Sequence, residues 1–135
     1  MSQRLDGLAF EAEFCHQLFH KGFWVLNIPQ DKSGQPVDVI AVKNNTAYLI
    51  ECKHCKGDRF LLNRIEPNQE TAIYLSETLA GNTNHFFAIY LDGIWLIPFQ
   101  TVMRLKNREI KSISKKDISK YGYTVEGWVN AFCDK

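Results

Sequence analysis

Residues 36–53 read PVDVIAVKNNTAYLIECK, and this stretch decides the fold. It contains two short apolar runs, Pro36–Lys43 and Thr46–Lys53, which are separated by Asn44 and Asn45. Because Asn tolerates positive φ, paired asparagines favour a tight two-residue hairpin turn. Each run is almost continuous in apolar residues, which is typical of a strand covered on both faces of a sheet. We therefore expect two adjacent strands near the centre of a sheet.

Hydrophobic periodicity on either side of this hairpin predicts the other elements. A helix that Gly22 ends comes first, and a second helix and a second hairpin follow, the hairpin turning at Asp92-Gly93. The expected elements are a helix over 4–21, a strand over 23–28, a loop over 30–35, a helix over 66–79 with Pro67 in its first turn, strands over 85–91 and 94–99, and a short last helix capped by Thr124. The order α-β-β-β-α-β-β-α predicts an α/β fold in which helices flank a mixed β-sheet.

The composition fits one globular domain spanning residues 1–135, since 45% of the residues are hydrophobic and 23% are charged. No apolar run approaches the length of a membrane span. The N-terminus, MSQRLDGLAFEAEF, lacks the apolar core of a signal peptide. We therefore expect a cytoplasmic protein without membrane association, with Trp24, Trp95 and Trp128 in its core.

Four cysteines raise the question of a zinc site. Cys52 and Cys55 form a CxxC pair, but the sequence has no second ligand pair at the spacing of a zinc finger. In a reducing compartment the cysteines should stay unpaired. A zinc-stapled interaction domain stays open as an alternative, which metal analysis of the purified protein would decide.

Charge is distributed unevenly along the chain. The net charge is only +1, yet residues 104–120 carry seven basic and two acidic residues. Residues 1–103 carry eight basic and eleven acidic residues. Acidic residues can bind metal ions and basic residues can bind phosphate, so this distribution of charge is compatible with a nuclease. A solvated surface segment is the alternative interpretation of residues 104–120.

The two central strands carry an unusual set of charged side chains. Period-two alternation puts Glu51 and Lys53 on one face of their strand and Cys52 on the other. The hairpin brings Asp38 to the same end, and Glu11 on the first helix supplies a third carboxylate. Such an oxygen-rich pocket selects a hard divalent cation, Mg²⁺ or Mn²⁺, over Zn²⁺.

This set predicts phosphodiester hydrolysis. A divalent ion polarises a phosphate and lowers the pKa of a bound water. Lys53 can orient that water or offset charge that develops on the phosphate. The alternative is a buried structural cluster in which Lys53 or Arg59 neutralises Asp38 and Glu51. We favour catalysis because three charges in two apolar strands are costly to keep for stability alone.

Here the residues resemble a known superfamily. Gly34-Gln-Pro-Val-Asp38, followed after twelve residues by Glu51-Cys-Lys53, is similar to the PD-(D/E)xK nuclease signature, with Val37 inserted between Pro and Asp. Gly7-Leu-Ala-Phe-Glu11 resembles the motif on the leading helix of that superfamily. The stretch from Phe60 to Gln69 is similar to RecU-type Holliday junction resolvases. Those enzymes carry a long stalk in the sheet, for which the Asn44-Asn45 turn leaves no room. The compact archaeal-type resolvases also lack the stalk.

The resemblance implies a restriction-endonuclease-like core and a homodimer that cuts branched DNA with Mg²⁺, which Mn²⁺ can replace. The implied catalytic residues are Glu11, Asp38, Glu51, Lys53 and Gln69, with Glu11, Asp38 and Glu51 as metal ligands. For DNA binding we predict a basic set, namely Lys56, Arg59, Arg64, Lys115 and Lys116. Two alternatives stay open, a restriction or repair nuclease acting on linear duplex and a non-catalytic nucleic-acid-binding module of the same fold.

Overall fold

The computed structural model describes residues 3–29 and 37–134. The predicted loop at 30–35 and the start of the signature, residues 34–36, lie outside the described residues. The helices are α1 Gln3–His20, α2 Pro67–Leu79, α3 Phe99–Asn107, α4 Ile118–Tyr121 and α5 Val125–Trp128. The strands are β1 Trp24–Asn27, β2 Val39–Lys43, β3 Thr46–His54, β4 Arg59–Leu61, β5 His85–Tyr90, β6 Ile94–Pro98 and β7 Ser112–Ser114. A 3-10 turn at Leu62–Arg64 precedes α2, and a π-helical turn at Val129–Cys133 continues α5.

Five strands form one mixed sheet in the order β1-β2-β3-β5-β6. Neighbouring strands in this sheet are antiparallel, except for β3 and β5, which run parallel. The remaining strands, β4 and β7, pair antiparallel in a small second sheet. The predicted α/β fold with a mixed sheet flanked by helices is confirmed, and β3 lies at the centre of the main sheet.

The hairpin that decides the fold turns as its sequence predicts. Asn44 and Asn45 have φ values of 54° and 64°, so both occupy the left-handed region that a tight primed turn requires. The second hairpin turns at Asp92 and Gly93, with φ values of 53° and 122°. No stalk interrupts β2 and β3, because Lys43 pairs directly with Thr46.

Two apolar clusters cover the two faces of the sheet. On one face Phe14 and Leu18 of α1 pack with Trp128 of the C-terminal helix. The ring of Trp128 is fully buried and stacks on Phe23 at 5.7 Å between ring centroids. On the other face Ile73 of α2 packs with residues of α3 and the small sheet. The main sheet is therefore covered on both sides over its central strands.

The segment after β6 differs most from the sequence-based prediction. Pro98 ends the strand and serves as the N-terminal cap of α3, a helix that we did not predict. Its buried residues, Phe99, Val102 and Leu105, recur at helical spacing among lysines and arginines. The prediction for Trp24 was also wrong, because this side chain on the edge strand is 61% exposed. Along residues 3–29 and 37–134, none of the helices has the length and apolarity needed to cross a bilayer.

Candidate active site

The acidic residues meet at the end of the sheet where β2 begins. Asp38 lies one residue before β2, and Val39 pairs with Ile50 of β3, so Asp38 is adjacent to Glu51. The backbone N–H of Asp38 donates to the carbonyl of Ile50 at 3.0 Å. The carbonyl of Asp38 accepts from the N–H of Ile28 at 2.8 Å. The backbone that carries Asp38 is thus bonded to the strands on both sides.

The Asp38 carboxylate is fixed by a backbone donor. Its Oδ2 accepts a hydrogen bond from the N–H of Cys52 at 2.8 Å. Potential ligand atoms of Glu11, Asp38 and Cys52 all lie within 4.8 Å of one another. Glu11 and Asp38 are 9% and 6% exposed, whereas Glu13, the other acid of that helical turn, is exposed. The structure therefore brings Glu11 and Asp38 together.

Glu51 points to the α2 face of the sheet with Lys53. Gln69 of α2 donates from Nε2 to Oε1 of Glu51 at 2.7 Å. Lys53 Nζ lies 3.6 Å from the same oxygen and donates to Oε1 of Gln69 at 3.4 Å. The other carboxylate oxygen, Glu51 Oε2, is buried and has no hydrogen-bond partner among the described residues. The predicted neighbours Glu51, Lys53 and Gln69 thus form one contact group.

The pKa values of Glu51 and Glu11 indicate that this corner has too little positive charge to balance its carboxylates. Burial, followed by repulsion from Asp38, raises the pKa of Glu51 to about 8. The same two causes raise the pKa of Glu11 to about 7. Lys53 opposes the rise at Glu51 but does not cancel it. A divalent cation would supply the missing charge, and the buried Glu51 Oε2 offers it a free lone pair, so the residues fit a metal ion.

Cys52 is a neighbour of these carboxylates that the motif does not predict as a ligand. Alternation along β3 puts it on the α1 face, beside Glu11, and this could have been inferred from the sequence. Burial, and then the charge of Asp38, raises the pKa of Cys52 well above its usual range. Its sulfur is therefore a neutral thiol at pH 7, whereas metal ligation uses the thiolate.

The CxxC pair does not form one site. Cys52 packs against the cluster on the α1 face, whereas Cys55 belongs to the cluster on the other face. The group of possible metal ligands found among the described residues includes Cys52 but not Cys55. This separation argues against zinc held by both cysteines.

The small sheet brings together two segments that carry most of the predicted basic set. It pairs Arg59 with Ser114, and the N–H of Lys115 donates to the carbonyl of Asp58 at 2.8 Å. Four of the predicted side chains are exposed on this part of the molecule, and we call them the basic surface: Lys56, Arg59, Lys115 and Lys116. Two segments that are distant in the sequence thus supply one positively charged region.

Arg64 has different surroundings from the rest of the predicted basic set. Its guanidinium is half-buried and donates to the carbonyl of His54 at 2.8 Å and to Sγ of Cys55 at 3.8 Å. These contacts tie the turn before α2 to the end of β3. Arg64 therefore supports the strand that carries Glu51 and Lys53, and a contact from Arg64 to DNA stays a prediction.

Comparisons with known proteins identify the family of this chain. A family model described as archaeal Holliday junction resolvase (Hjc) matches residues 2–118. Among solved structures, the chain is similar to Hjc of Archaeoglobus fulgidus, a Holliday junction resolvase from an archaeal hyperthermophile. That match has a TM-score of 0.69 at 18% identity and covers 92% of this chain and 98% of the other. No curated protein sequence matches this chain. At such low identity the structural match establishes the fold, but the family model spans most of the sequence, and the chain therefore belongs to the archaeal Holliday junction resolvase family.

Proposed function

We propose that this resolvase hydrolyses phosphodiester bonds of four-way DNA junctions with Mg²⁺, at a site formed by Glu11, Asp38, Glu51 and Lys53. One observation carries the proposal. In a buried corner Asp38 is a neighbour of both Glu11 and Glu51 and acts electrostatically on each, and Glu51 Oε2 has no hydrogen-bond partner among the described residues. Ionising these buried carboxyl groups together is costly unless a cation offsets their charge.

The donor set supports the identity of the metal. Carboxylate oxygens are the ligands preferred by the hard cations Mg²⁺ and Mn²⁺, and we propose Glu11, Asp38 and Glu51 as the residues that hold the ion. When bound, such an ion polarises the scissile phosphate and lowers the pKa of an attacking water. We expect Mn²⁺ to substitute for Mg²⁺ because it uses the same oxygen donors.

The chain's own residues position these groups. The N–H of Cys52 holds Asp38 in one orientation, and the side-chain amide of Gln69 does the same for Glu51. Lys53 is anchored between Glu51 and Gln69, so its ammonium group can offset charge that develops on the phosphate. We infer that Gln69 is a positioning residue, since it acts through Glu51 and Lys53.

The basic surface supports the proposed contact with DNA. Its four side chains are exposed at the small sheet and on the turn that joins it to the strand carrying Glu51 and Lys53. Lysine and arginine on such a surface bind the phosphate backbone and release counterions, so affinity should fall steeply with salt. We propose that these residues hold the duplex arms of the junction, whereas the carboxylates act at the scissile bond.

We also propose that the active form is a homodimer. Resolving a four-way junction into two duplexes needs cuts in two strands, and each chain carries one set of carboxylates. A twofold symmetric dimer supplies the second set through an interface that uses the same patch of both subunits. This dimer requires a surface that can bury itself against its copy.

An apolar surface on one side of the sheet suits this interface. On β1 the exposed residues Trp24 and Leu26 share one face by period-two alternation. On α2 the apolar residues Leu75 and Leu79 are exposed, the latter by 82%. We call these four residues the apolar surface. Exposed large apolar side chains are typical of protein–protein interfaces when they form one patch.

The packing of α2 explains why Leu75 and Leu79 are exposed. Ile73 faces the core, and Glu70 contacts Lys106 of α3, the helix that packs on β5 and β6. Helical spacing puts Leu75 and Leu79 on the opposite flank of α2 from Glu70. We propose that the second copy covers this flank of α2 and the exposed face of β1.

A cleavage panel tests the catalytic proposal. A synthetic four-way junction and a matched linear duplex are incubated with Mg²⁺, Mn²⁺ or chelator. We expect junction cleavage with either ion, and Asp38→Asn should abolish cleavage while junction binding persists. Glu13→Gln is the matched control for Glu11→Gln, because Glu13 is an exposed acid of the same helix. A wild type that binds but never cuts would favour a binding module. Equal cleavage of the linear duplex would favour a restriction or repair nuclease.

Sedimentation equilibrium tests the dimer. Wild type should have twice the mass of the chain, and Trp24→Glu or Leu79→Glu should give monomers by charging the apolar surface. Phe19→Glu is the control, because Phe19 is an exposed aromatic residue of α1 outside that surface. A monomeric wild type at micromolar concentration, or a dimer that survives both substitutions, would overturn this assignment.

A further inference from the structure

We propose that α1 carries a second metal site, in which His16 and His20 chelate a late first-row transition metal such as Cu²⁺ or Ni²⁺. The two residues are four positions apart, so they lie on the same face of the helix in successive turns. Both side chains are exposed. This site is independent of the proposed nuclease chemistry, because it uses nitrogen donors on a solvent-facing surface.

The distance between the two imidazoles supports chelation. The Nε2 atoms of His16 and His20 lie 3.0 Å apart, and the ring centroids are 4.3 Å apart at an angle of 83°. With metal–nitrogen bonds of roughly 2.0–2.1 Å, this separation corresponds to an angle of about 95° at the ion. Both nitrogens therefore reach one ion with little side-chain movement.

The chemistry of the donors indicates which metals fit. Imidazole nitrogen is a ligand for Cu²⁺, Ni²⁺ and Zn²⁺, and the 3.0 Å separation is close both to that of ligands at about 90° and to the roughly 3.3 Å of a tetrahedral ion. The general order of affinity for nitrogen sites favours Cu²⁺ over both Ni²⁺ and Zn²⁺. Water can fill the remaining positions because the rings face solvent.

The surroundings of the pair are compatible with a cation. Glu13 lies one turn before His16, and its Oε1 accepts a hydrogen bond from Gln17 at 3.0 Å. Its carboxylate thus adds negative charge to this face of the helix. Glu11, by contrast, is buried against the sheet, so the two metal sites lie on different sides of α1. Mg²⁺ prefers oxygen ligands and should not occupy the imidazole pair.

A hydrogen bond between the two rings would also give the 3.0 Å contact, and metal titration separates the two cases. Wild type, His16→Ala and His20→Ala are titrated with Cu²⁺, Ni²⁺, Zn²⁺ and Mg²⁺ at pH 7.5 by calorimetry. Gln17→Ala is the control on the same helix. The alanine variants should fold, because alanine is the best helix former.

We expect Cu²⁺ to bind wild type and the control more tightly than Ni²⁺ or Zn²⁺, with two nitrogen ligands visible by electron paramagnetic resonance. Each histidine variant should weaken this binding at least tenfold. Asp38→Asn should retain it, and the histidine variants should cut junctions at the wild-type rate with Mg²⁺, which separates this proposal from the nuclease proposal. Unchanged Cu²⁺ binding in both histidine variants, or binding that Asp38→Asn abolishes, would overturn the assignment.

Discussion

Replacing Gln69 with alanine should lower both the stability of the protein and the rate of junction cleavage. Gln69 donates to Glu51 at 2.7 Å and accepts from Lys53 at 3.4 Å. The same oxygen accepts from the backbone N–H of Glu66 at 3.2 Å, which forms one half of a capping box at the start of α2. One side chain therefore connects the predicted catalytic pair to the helix beside it.

The expected loss of stability follows from these contacts. Leaving a buried acceptor unsatisfied costs about 1–3 kcal/mol. Loss of the cap contact adds roughly 0.5 kcal/mol or more. Burial and the charge of Asp38 already raise the pKa of Glu51 to about 8, so this carboxyl can take up a proton and relieve part of the loss. We therefore expect Gln69→Ala to destabilise the protein by about 2 kcal/mol, or roughly 4–8 °C in Tm.

Calorimetric unfolding and single-turnover junction cleavage measure the two effects. The cleavage rate at saturating Mg²⁺ should fall on the order of tenfold, equivalent to about 1.4 kcal/mol, because Lys53 and Glu51 lose their shared partner. Junction affinity should not change. Asn68→Ala is the matched control, since Asn68 is an exposed neighbour on α2. If Gln69→Ala resembled Asn68→Ala in both Tm and rate, the positioning role of Gln69 would be wrong.

Two further predictions concern the core. Trp128→Ala should cost about 3–5 kcal/mol of unfolding free energy in urea, because it empties a fully buried aromatic site. Trp128→Phe should cost much less, since it also removes an indole Nε1–H that has no hydrogen-bond partner in the described part of the chain, and equal losses would contradict this account. Burial lowers the pKa of His85, so the unfolded chain takes up a proton at this residue that the folded chain resists, and the contribution of His85 to stability should fall as pH drops below about 6.5. The raised pKa values of Glu11 and Glu51 act in the opposite direction, so the test is the difference in unfolding free energy between wild type and His85→Gln, which should shift against wild type from pH 7.5 to 5.5.

Most of the fold could be predicted because its signals are local. The Asn44-Asn45 and Asp92-Gly93 turns require only positive φ at adjacent residues, and both hairpins form. We did not predict α3 because basic residues separate its apolar positions, and the segment was interpreted by its charge instead. β4 and β7 have three residues each, and their pairing depends on tertiary contacts that no local pattern specifies.

Side-chain alternation predicts part of the geometry of the candidate site. Period two puts Glu51 and Lys53 together, as the structure has them, and Glu11 is the buried acid of its helical turn, whereas Glu13 is exposed. The bond from the Cys52 amide to Asp38 could not be predicted, because it depends on the register of β2 against β3. The inward orientation of Arg64 depends likewise on where the turn before α2 meets β3.

The contacts of the carboxyl groups explain how they are held in the buried corner. An amide donor fixes each of the two buried side chains, the N–H of Cys52 for Asp38 and the side chain of Gln69 for Glu51. These donors stabilise the carboxylates without neutralising them, and Lys53 is the one cation within ion-pair distance of Glu51 among the described residues. The raised pKa values of Glu11 and Glu51 express the same deficit. If this cluster served stability alone, apolar side chains in its place would stabilise the fold more. The two apolar clusters on either side already hold the sheet together. A bound cation would offset the charge of these carboxylates, which supports the metal site that we propose.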